Sequence, residues 1–67
     1  MPSEVIDILK EAKEYGYKYV VIGNNRCNKD VWITNDKEQA NKFHELYRSF
    51  GSKTTTYEDG LVMKVSM

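Results

Sequence analysis

Tyr17-Lys18-Tyr19-Val20-Val21-Ile22 (residues 17–22) is rich in aromatic and β-branched side chains and is too short for a stable helix. This composition predicts a β-strand. Val20, Val21 and Ile22 follow one another, and consecutive apolar residues are typical of a strand that is at least partly covered on both faces. The elements on either side of this strand complete the predicted fold.

A helix is predicted immediately before this strand, over residues 4–15. Ser3 is a candidate N-cap, and Gly16 stands where a left-handed residue commonly ends a helix. An apolar stripe runs along the segment at spacings of three and four residues. Its members are Val5, Ile8, Leu9 and Ala12.

A polar loop, a second strand and a second helix are predicted to follow the first strand. The loop covers residues 23–30, and the strand covers residues 31–34 and runs antiparallel to the first. Asn35 with Glu38 is a variant of the capping box and predicts a helix start. Gly51 marks its end. The apolar positions of this helix recur at intervals of three and four: Ala40, Phe43, Tyr47 and Phe50.

Two further strands are predicted over residues 52–57 and 61–65. The Asp-Gly pair between these β-prone runs is a strong hairpin signal. We expect a three-residue loop with Gly60 left-handed, which pairs Tyr57 with Leu61. The alternative is a two-residue loop, which would set Met63 opposite Thr56.

The order helix, strand, strand therefore occurs twice. Tyr15-Gly16-Tyr17-Lys18 aligns with Phe50-Gly51-Ser52-Lys53 at an offset of 35 residues. Either an internal repeat with pseudo-twofold symmetry or the shared physics of helix–Gly–strand junctions explains this similarity. In both cases we predict a single α+β domain over residues 1–67, with two helices packed on one face of a four-stranded, mainly antiparallel sheet. Leu9, Phe43 and Tyr47 are expected to be buried together.

Composition and charge exclude several classes of protein. The chain is 40% hydrophobic, which argues against disorder, and its ten basic and ten acidic residues cancel, whereas dedicated nucleic-acid binders usually carry a basic excess. No apolar run approaches the roughly 20 residues that span a bilayer. Glu4 and Asp7 lie where a signal peptide carries positive charge. A single cysteine cannot form an internal disulfide and fits a reducing compartment, so we expect a cytoplasmic protein.

Few side chains in the sequence offer catalytic chemistry. His44 is the only histidine and Cys27 the only cysteine. We interpret His44 as a surface residue on the flank of the second helix, and Cys27 as an inert thiol in the polar loop. A chain of 67 residues rarely encloses a substrate pocket of a few hundred Å³. We therefore expect no catalytic site, no bound metal, no cofactor and no small-molecule substrate.

The sheet face away from the helices is the predicted interaction site. Alternation places Val20 and Ile22 on one side of the first strand, so the aromatic residues beside them take the other side. If both helices cover the first side, the second remains open. In the opposite register, with Tyr17, Tyr19 and Val21 facing the helices, this patch would shrink. The predicted partner-binding residues are Tyr17, Tyr19, Val21, Arg26, Lys29, Trp32, Val62 and Lys64.

These features predict a small non-catalytic interaction protein, a regulator or inhibitor that acts by binding a protein partner or a second copy of itself. Tyrosine and tryptophan are frequent anchors of protein interfaces. The alternative is a single-stranded nucleic-acid-binding protein that stacks bases on Tyr17, Tyr19 and Trp32. The zero net charge disfavours this alternative. Salt-dependent binding to an oligonucleotide would favour it, whereas concentration-dependent self-association would favour the first function.

Overall fold

A computed structural model describes residues 3–26 and 28–66 of the chain. The four strands form one antiparallel sheet in the spatial order β2-β1-β3-β4. The predicted α+β class, the element order and the antiparallel sheet are confirmed. Along the chain the elements are α1 (Ser3–Glu14), β1 (Tyr19–Asn24), β2 (Lys29–Thr34), α2 (Lys37–Ser49), β3 (Lys53–Glu58) and β4 (Leu61–Ser66).

The boundaries of the first strand differ from the prediction by two residues. The backbone N–H of Tyr17 donates to the carbonyl of Ala12 at 2.8 Å, so Tyr17 belongs to the end of α1 rather than to β1. At its other end β1 runs further than expected, because Gly23 and Asn24 pair with the first residues of β2. Of the predicted polar loop over residues 23–30, Asn25, Arg26 and Asn28 are described outside the strands, and Cys27, which we interpreted as an inert thiol in this loop, lies outside the described residues.

The start of α2 lies one residue later than the predicted cap. Asp36 has an extended backbone and its side chain accepts a hydrogen bond from the Glu38 N–H at 2.9 Å, so Asp36 is the N-cap. Asn35 has another role, since its side-chain oxygen accepts from the Lys18 N–H at 2.8 Å. This bond ties the start of β1 to the connection that leads into α2.

The hairpin between β3 and β4 has a two-residue turn, so the three-residue loop is wrong. Both Asp59 (φ 54°) and Gly60 (φ 82°) adopt positive φ, as a type I′ turn requires. Tyr57 consequently pairs with Val62. A bulge between Thr56 and Tyr57 then shifts the register. Because of this bulge, Lys64 lies opposite Thr56, where the alternative loop had placed Met63.

The two helices cover opposite faces of the sheet, so their predicted placement on a single face is wrong. On the α1 face, Val5 and Ala12 pack with Val20, Ile22 and Tyr57, and Leu9 lies against this cluster. On the α2 face, a separate cluster joins Tyr19 and Val21 of β1 to Ala40 and Tyr47 of α2, with Phe43 against it. Leu9 is therefore not buried together with Phe43 and Tyr47.

The apolar composition of β1 explains this two-sided arrangement. Val20 and Ile22 point to one face and Tyr19 and Val21 to the other, and all four are buried. A sheet that carried both helices on one face would leave half of these side chains in water. Strands β2 and β3 run parallel with β1 between them, so α2 is a crossover and occupies one face, while α1 occupies the other.

The helix positions also bear on the suspected internal repeat. A twofold axis that exchanged β1 with β3 in this antiparallel pair would stand perpendicular to the sheet. Such an axis would keep both helices on the same face. Because α1 and α2 lie on opposite faces, no twofold axis relates the two helix–strand–strand units.

Candidate interaction surface

The aromatic face that the sequence analysis left open is covered by α2. Tyr19 is only 5% exposed and Val21 is fully buried. The ring of Trp32 stacks on the ring of Phe43 with 3.9 Å between centroids and 15° between planes. Burial raises the pKa of the Tyr19 hydroxyl, and a hydrogen bond with Glu58 adds to this increase. Tyr19, Val21 and Trp32 are thus part of the protein's own core, and the expectation of an open face here is wrong.

Two of the predicted basic contacts are held in ion pairs. Lys29 pairs with Glu4 and so joins the start of β2 to the start of α1. Lys64 pairs with Glu45 at 3.2 Å and joins β4 to α2. Hydrogen bonding to these lysines lowers the pKa of both carboxyl groups, with Arg48 contributing at Glu45. These ion pairs are largely exposed, and each links a strand to a helix.

The remaining predicted residues lie on three different parts of the fold. Arg26 is exposed in the turn between β1 and β2. Tyr17 is exposed at the end of α1, where it lines an open groove of about 610 Å³ with Leu9, Lys13 and other residues. Val62 is exposed on β4. The structure therefore does not bring the eight predicted residues onto one surface.

His44 lies in the interior rather than on the surface, so its sequence-based interpretation is wrong. Its side chain is fully buried between α2 and the sheet. Nδ1 lies 2.7 Å from Thr56 Oγ1 on β3, and Nε2 lies 2.8 Å from Ser66 Oγ on β4. Burial lowers the pKa of His44, the nearby Lys64 and Arg48 lower it further, and Glu45 opposes this effect. The geometry favours a neutral imidazole that connects three elements.

The contact between Ser66 and His44 resembles half of a serine-nucleophile arrangement. In such sites a carboxylate on the second ring nitrogen stabilises the imidazolium that forms when the serine loses its proton. Here that nitrogen faces the neutral hydroxyl of Thr56, and the Lys64 cation disfavours an imidazolium. The Ser66–His44–Thr56 cluster is therefore suited to holding the sheet against α2 rather than to activating a nucleophile.

Exposed apolar side chains lie on both faces of β4, Leu61 on the α2 face and two valines on the α1 face. Leu61 is 73% exposed, Val62 54% and Val65 51%. Val62 and Val65 lie on the α1 face, because their β3 partners Tyr57 and Thr55 are paired in turn with Val20 and Ile22 of β1. We call Leu61, Val62 and Val65, together with the outer backbone edge of β4, the β4 surface.

The two edges of the sheet differ in charge and in the exposure of their apolar side chains. Strand β2 begins with the charged residues Lys29 and Asp30, and charges discourage pairing with another strand. Its apolar residues are half-buried, with Val31 and Ile33 under α1 and Trp32 under α2. Strand β4 is different, since the face it shares with α1 carries two valines that are more than half exposed. The β4 surface is therefore the candidate interaction surface of this protein.

Of the three apolar residues of the β4 surface, Val62 was predicted from the sequence as a binding residue, whereas Leu61 and Val65 were not. These two residues were assigned to the face under the helices, because a regular strand from residue 61 to residue 65 places positions 61, 63 and 65 together. The bulge breaks that alternation and puts Val62 and Val65 on one face. A clue was present in β1, where four consecutive apolar residues indicated that the sheet is covered on both sides.

Comparisons with known proteins add no family assignment. No protein-family model matches the chain, and neither a curated protein nor a solved structure matches it. Within residues 3–26 and 28–66, no group of three acidic, histidine or cysteine side chains is placed to hold a metal ion. In the same residues, no helix has the length and apolar character needed to cross a membrane.

Proposed function

We propose that this chain is a non-catalytic interaction module that binds a protein partner through the β4 surface. The observation that carries the proposal is the combination of an unpaired strand edge with exposed apolar side chains at Leu61, Val62 and Val65. Edge strands of this kind are templates for pairing with another chain.

Strand addition is the binding mode that this surface supports. A partner strand beside β4 would receive hydrogen bonds from the free backbone edge, which supply affinity without regard to sequence. Val62 and Val65 would supply specificity, since they lie on one face and pack against alternate side chains of the incoming strand. The module would then act by occupancy, blocking or scaffolding the protein that it binds.

Paired surface variants test this function. In a Val62→Lys/Val65→Lys variant, the two added charges oppose burial of the β4 surface. Leu46→Lys is the control, because it places a lysine on an exposed apolar position of α2, away from the β4 surface. Tagged proteins are used to capture partners from extracts of the native cell, with nuclease and without.

We expect wild type and Leu46→Lys to retain the same proteins with and without nuclease, and the β4 variant to lose them. Circular dichroism confirms that all three chains are folded. Capture that survives the two lysines on β4, or that disappears on nuclease treatment, would contradict the proposal.

Two observations weigh against the nucleic-acid alternative. Tyr19 lies in the core, and one face of the half-buried Trp32 ring is covered by Phe43, so these rings do not form an open stacking platform with Tyr17. Lys29 and Lys64 are both paired with carboxylates.

A further inference from the structure

We infer that the partner of the β4 surface is a second copy of this chain, with the two β4 strands paired antiparallel about a twofold axis between Met63 and Lys64. This inference rests on the proposed function and names its partner. It joins two four-stranded sheets into one continuous sheet of eight strands. The two α1 helices then lie on the same face, one on each side of the junction.

The sequence of β4 is self-complementary in this register. An axis between Met63 and Lys64 sets Val62 of each copy opposite Val65 of the other. Both residues lie on the α1 face, so the junction carries four valines side by side. Cross-strand pairs of β-branched residues stabilise antiparallel sheets. The bulge that brings Val62 and Val65 to the same face occurs in both copies and is matched by the symmetry.

The charge distribution also favours a second copy over a charged partner. Lys64 is the only charged residue of β4, and in this register the two copies of Lys64 flank the axis on the α2 face, where pairing of each ammonium group with Glu45 of its own chain offsets their repulsion. The valines on the other face carry no charge to repel their counterparts. The chain as a whole has zero net charge, so long-range repulsion between two copies is absent. No cationic or anionic surface at β4 requires an oppositely charged partner.

The area of the β4 surface indicates the affinity with which such a dimer forms. The exposed parts of Leu61, Val62 and Val65 amount to roughly 300 Å² per copy, and the strand edge and flanking side chains bring this to about 500 Å². A standard interface buries about 800 Å² per partner. We therefore expect a weak dimer with a dissociation constant in the micromolar range or above, populated at high concentration.

Single-cysteine variants test the register. In a Cys27→Ser background, Val62→Cys and Val65→Cys are prepared separately, oxidised alone and oxidised as an equal mixture. Residues directly opposite each other in an antiparallel pair lie within disulfide range. Val62 of one copy and Val62 of the other are three positions apart along the strands, or about 10 Å, which is too far. The mixture should give at least about fivefold more linked dimer than either variant alone.

Sedimentation equilibrium of the wild-type chain measures the association itself. The weight-average mass should rise from 7.8 kDa toward twice that value as the concentration increases from roughly 10 µM to roughly 1 mM. Val62→Lys/Val65→Lys should raise the dissociation constant about tenfold or more, whereas Leu46→Lys should leave it unchanged.

Each contrary outcome has a distinct meaning. A chain that stays monomeric up to roughly 1 mM, or cysteine variants that link equally well alone and mixed, would overturn the second copy as partner. If the β4 lysines still abolish capture from extracts, the interaction function stands with a different partner. If the protein is monomeric and the β4 lysines also leave capture from extracts unchanged, the proposed function fails as well.

Discussion

The imidazole of His44 joins elements that are separate in the chain, because it extends from α2 to hydroxyl groups on β3 and β4. In the neutral form one ring nitrogen donates a hydrogen bond and the other accepts one, and a hydroxyl group can take either role. Thr56 and Ser66 therefore satisfy both nitrogens without any charged group. This one side chain supplies a buried polar connection between α2 and two strands of the sheet.

Replacing His44 with alanine should destabilise the protein by about 2–4 kcal/mol. The substitution leaves a cavity under α2 and removes the hydrogen-bond partners of two hydroxyl groups. If His44 were on the surface, as predicted from the sequence, its replacement with alanine would leave the free energy of unfolding almost unchanged. Urea denaturation measures the effect, with Lys42→Ala on the exposed side of α2 as the control. Equal midpoints for the two variants would contradict the structural role.

His44 should also make stability depend on pH. Its pKa is lowered in the folded state from the ordinary value of 6.5, so the unfolded chain binds this proton more readily. Stability from this group is therefore complete above about pH 6.5 and is lost as the pH falls toward the folded pKa. The groups around it act in both directions, because Lys64 and Arg48 favour the neutral ring and Glu45 favours the charged one.

Unfolding free energies of wild type and His44→Gln between about pH 7 and about pH 5 measure this dependence. Wild type should lose at most about 1.4 kcal/mol per pH unit in this window. The variant should show a flatter profile, because His44 is the only histidine in the chain. Parallel profiles for the two proteins would show that the proton is bound equally in both states.

At the scale of elements, the packing of α2 on β1 depends on the small size of Gly23. A Cβ atom at this position would lie 2.9 Å from Tyr47 Cβ, closer than side chains tolerate. The close atom is next to the helix backbone, so rotation of the tyrosine ring does not remove the clash. Sequence analysis treated Gly23 only as part of a polar loop, since the approach of a helix to a strand cannot be read from either segment alone.

Gly23→Ala should destabilise the protein by about 1–3 kcal/mol, because α2 must shift away from the sheet. Asn24→Ala, at the next and exposed position of β1, is the control and should have a small effect. Thermal denaturation of both variants measures the difference. A Gly23→Ala chain as stable as wild type would mean that α2 packs less closely than described.

The stacked rings of Trp32 and Phe43 form another contact between the sheet and α2. Trp32→Ala should lower monomer stability by about 2–4 kcal/mol, because the stacked pair is lost. Trp32→Phe should cost less, since it keeps an aromatic ring and removes an indole N–H that is buried without a partner among the described residues. Tryptophan emission in the wild type should not change with protein concentration. A concentration-dependent shift would place Trp32 at an interface instead.

At the scale of the whole molecule, the sequence predicted which elements form but not where they pack. Gly16, Gly51 and the Asp59-Gly60 turn mark element ends through local backbone preferences, so the helices and strands could be located without tertiary information. The choice of sheet face depends on contacts between distant segments, and it was predicted wrongly. For the same reason Val62 is the one residue of the eight predicted site residues whose side chain belongs to the β4 surface.

The central pairing of β1 with β3 makes the two halves of the chain depend on each other. A cut between Asn35 and Asp36 would give two fragments, each with one helix and one hairpin. In the first fragment Tyr19 and Val21 would lose the cover of α2, and in the second Tyr57 would lose the cover of α1. Separation would also leave one edge of β1 in the first fragment and one edge of β3 in the second without the backbone hydrogen bonds that join these strands in the intact chain.

We therefore expect the separate fragments 1–35 and 36–67 to be largely unfolded and to assemble into the native structure when mixed. Circular dichroism of each fragment and of the equimolar mixture measures this recovery. A fragment that folds alone would show that one helix suffices for its hairpin. Assembly on mixing would make the chain a split protein, whose halves join two molecules fused to them.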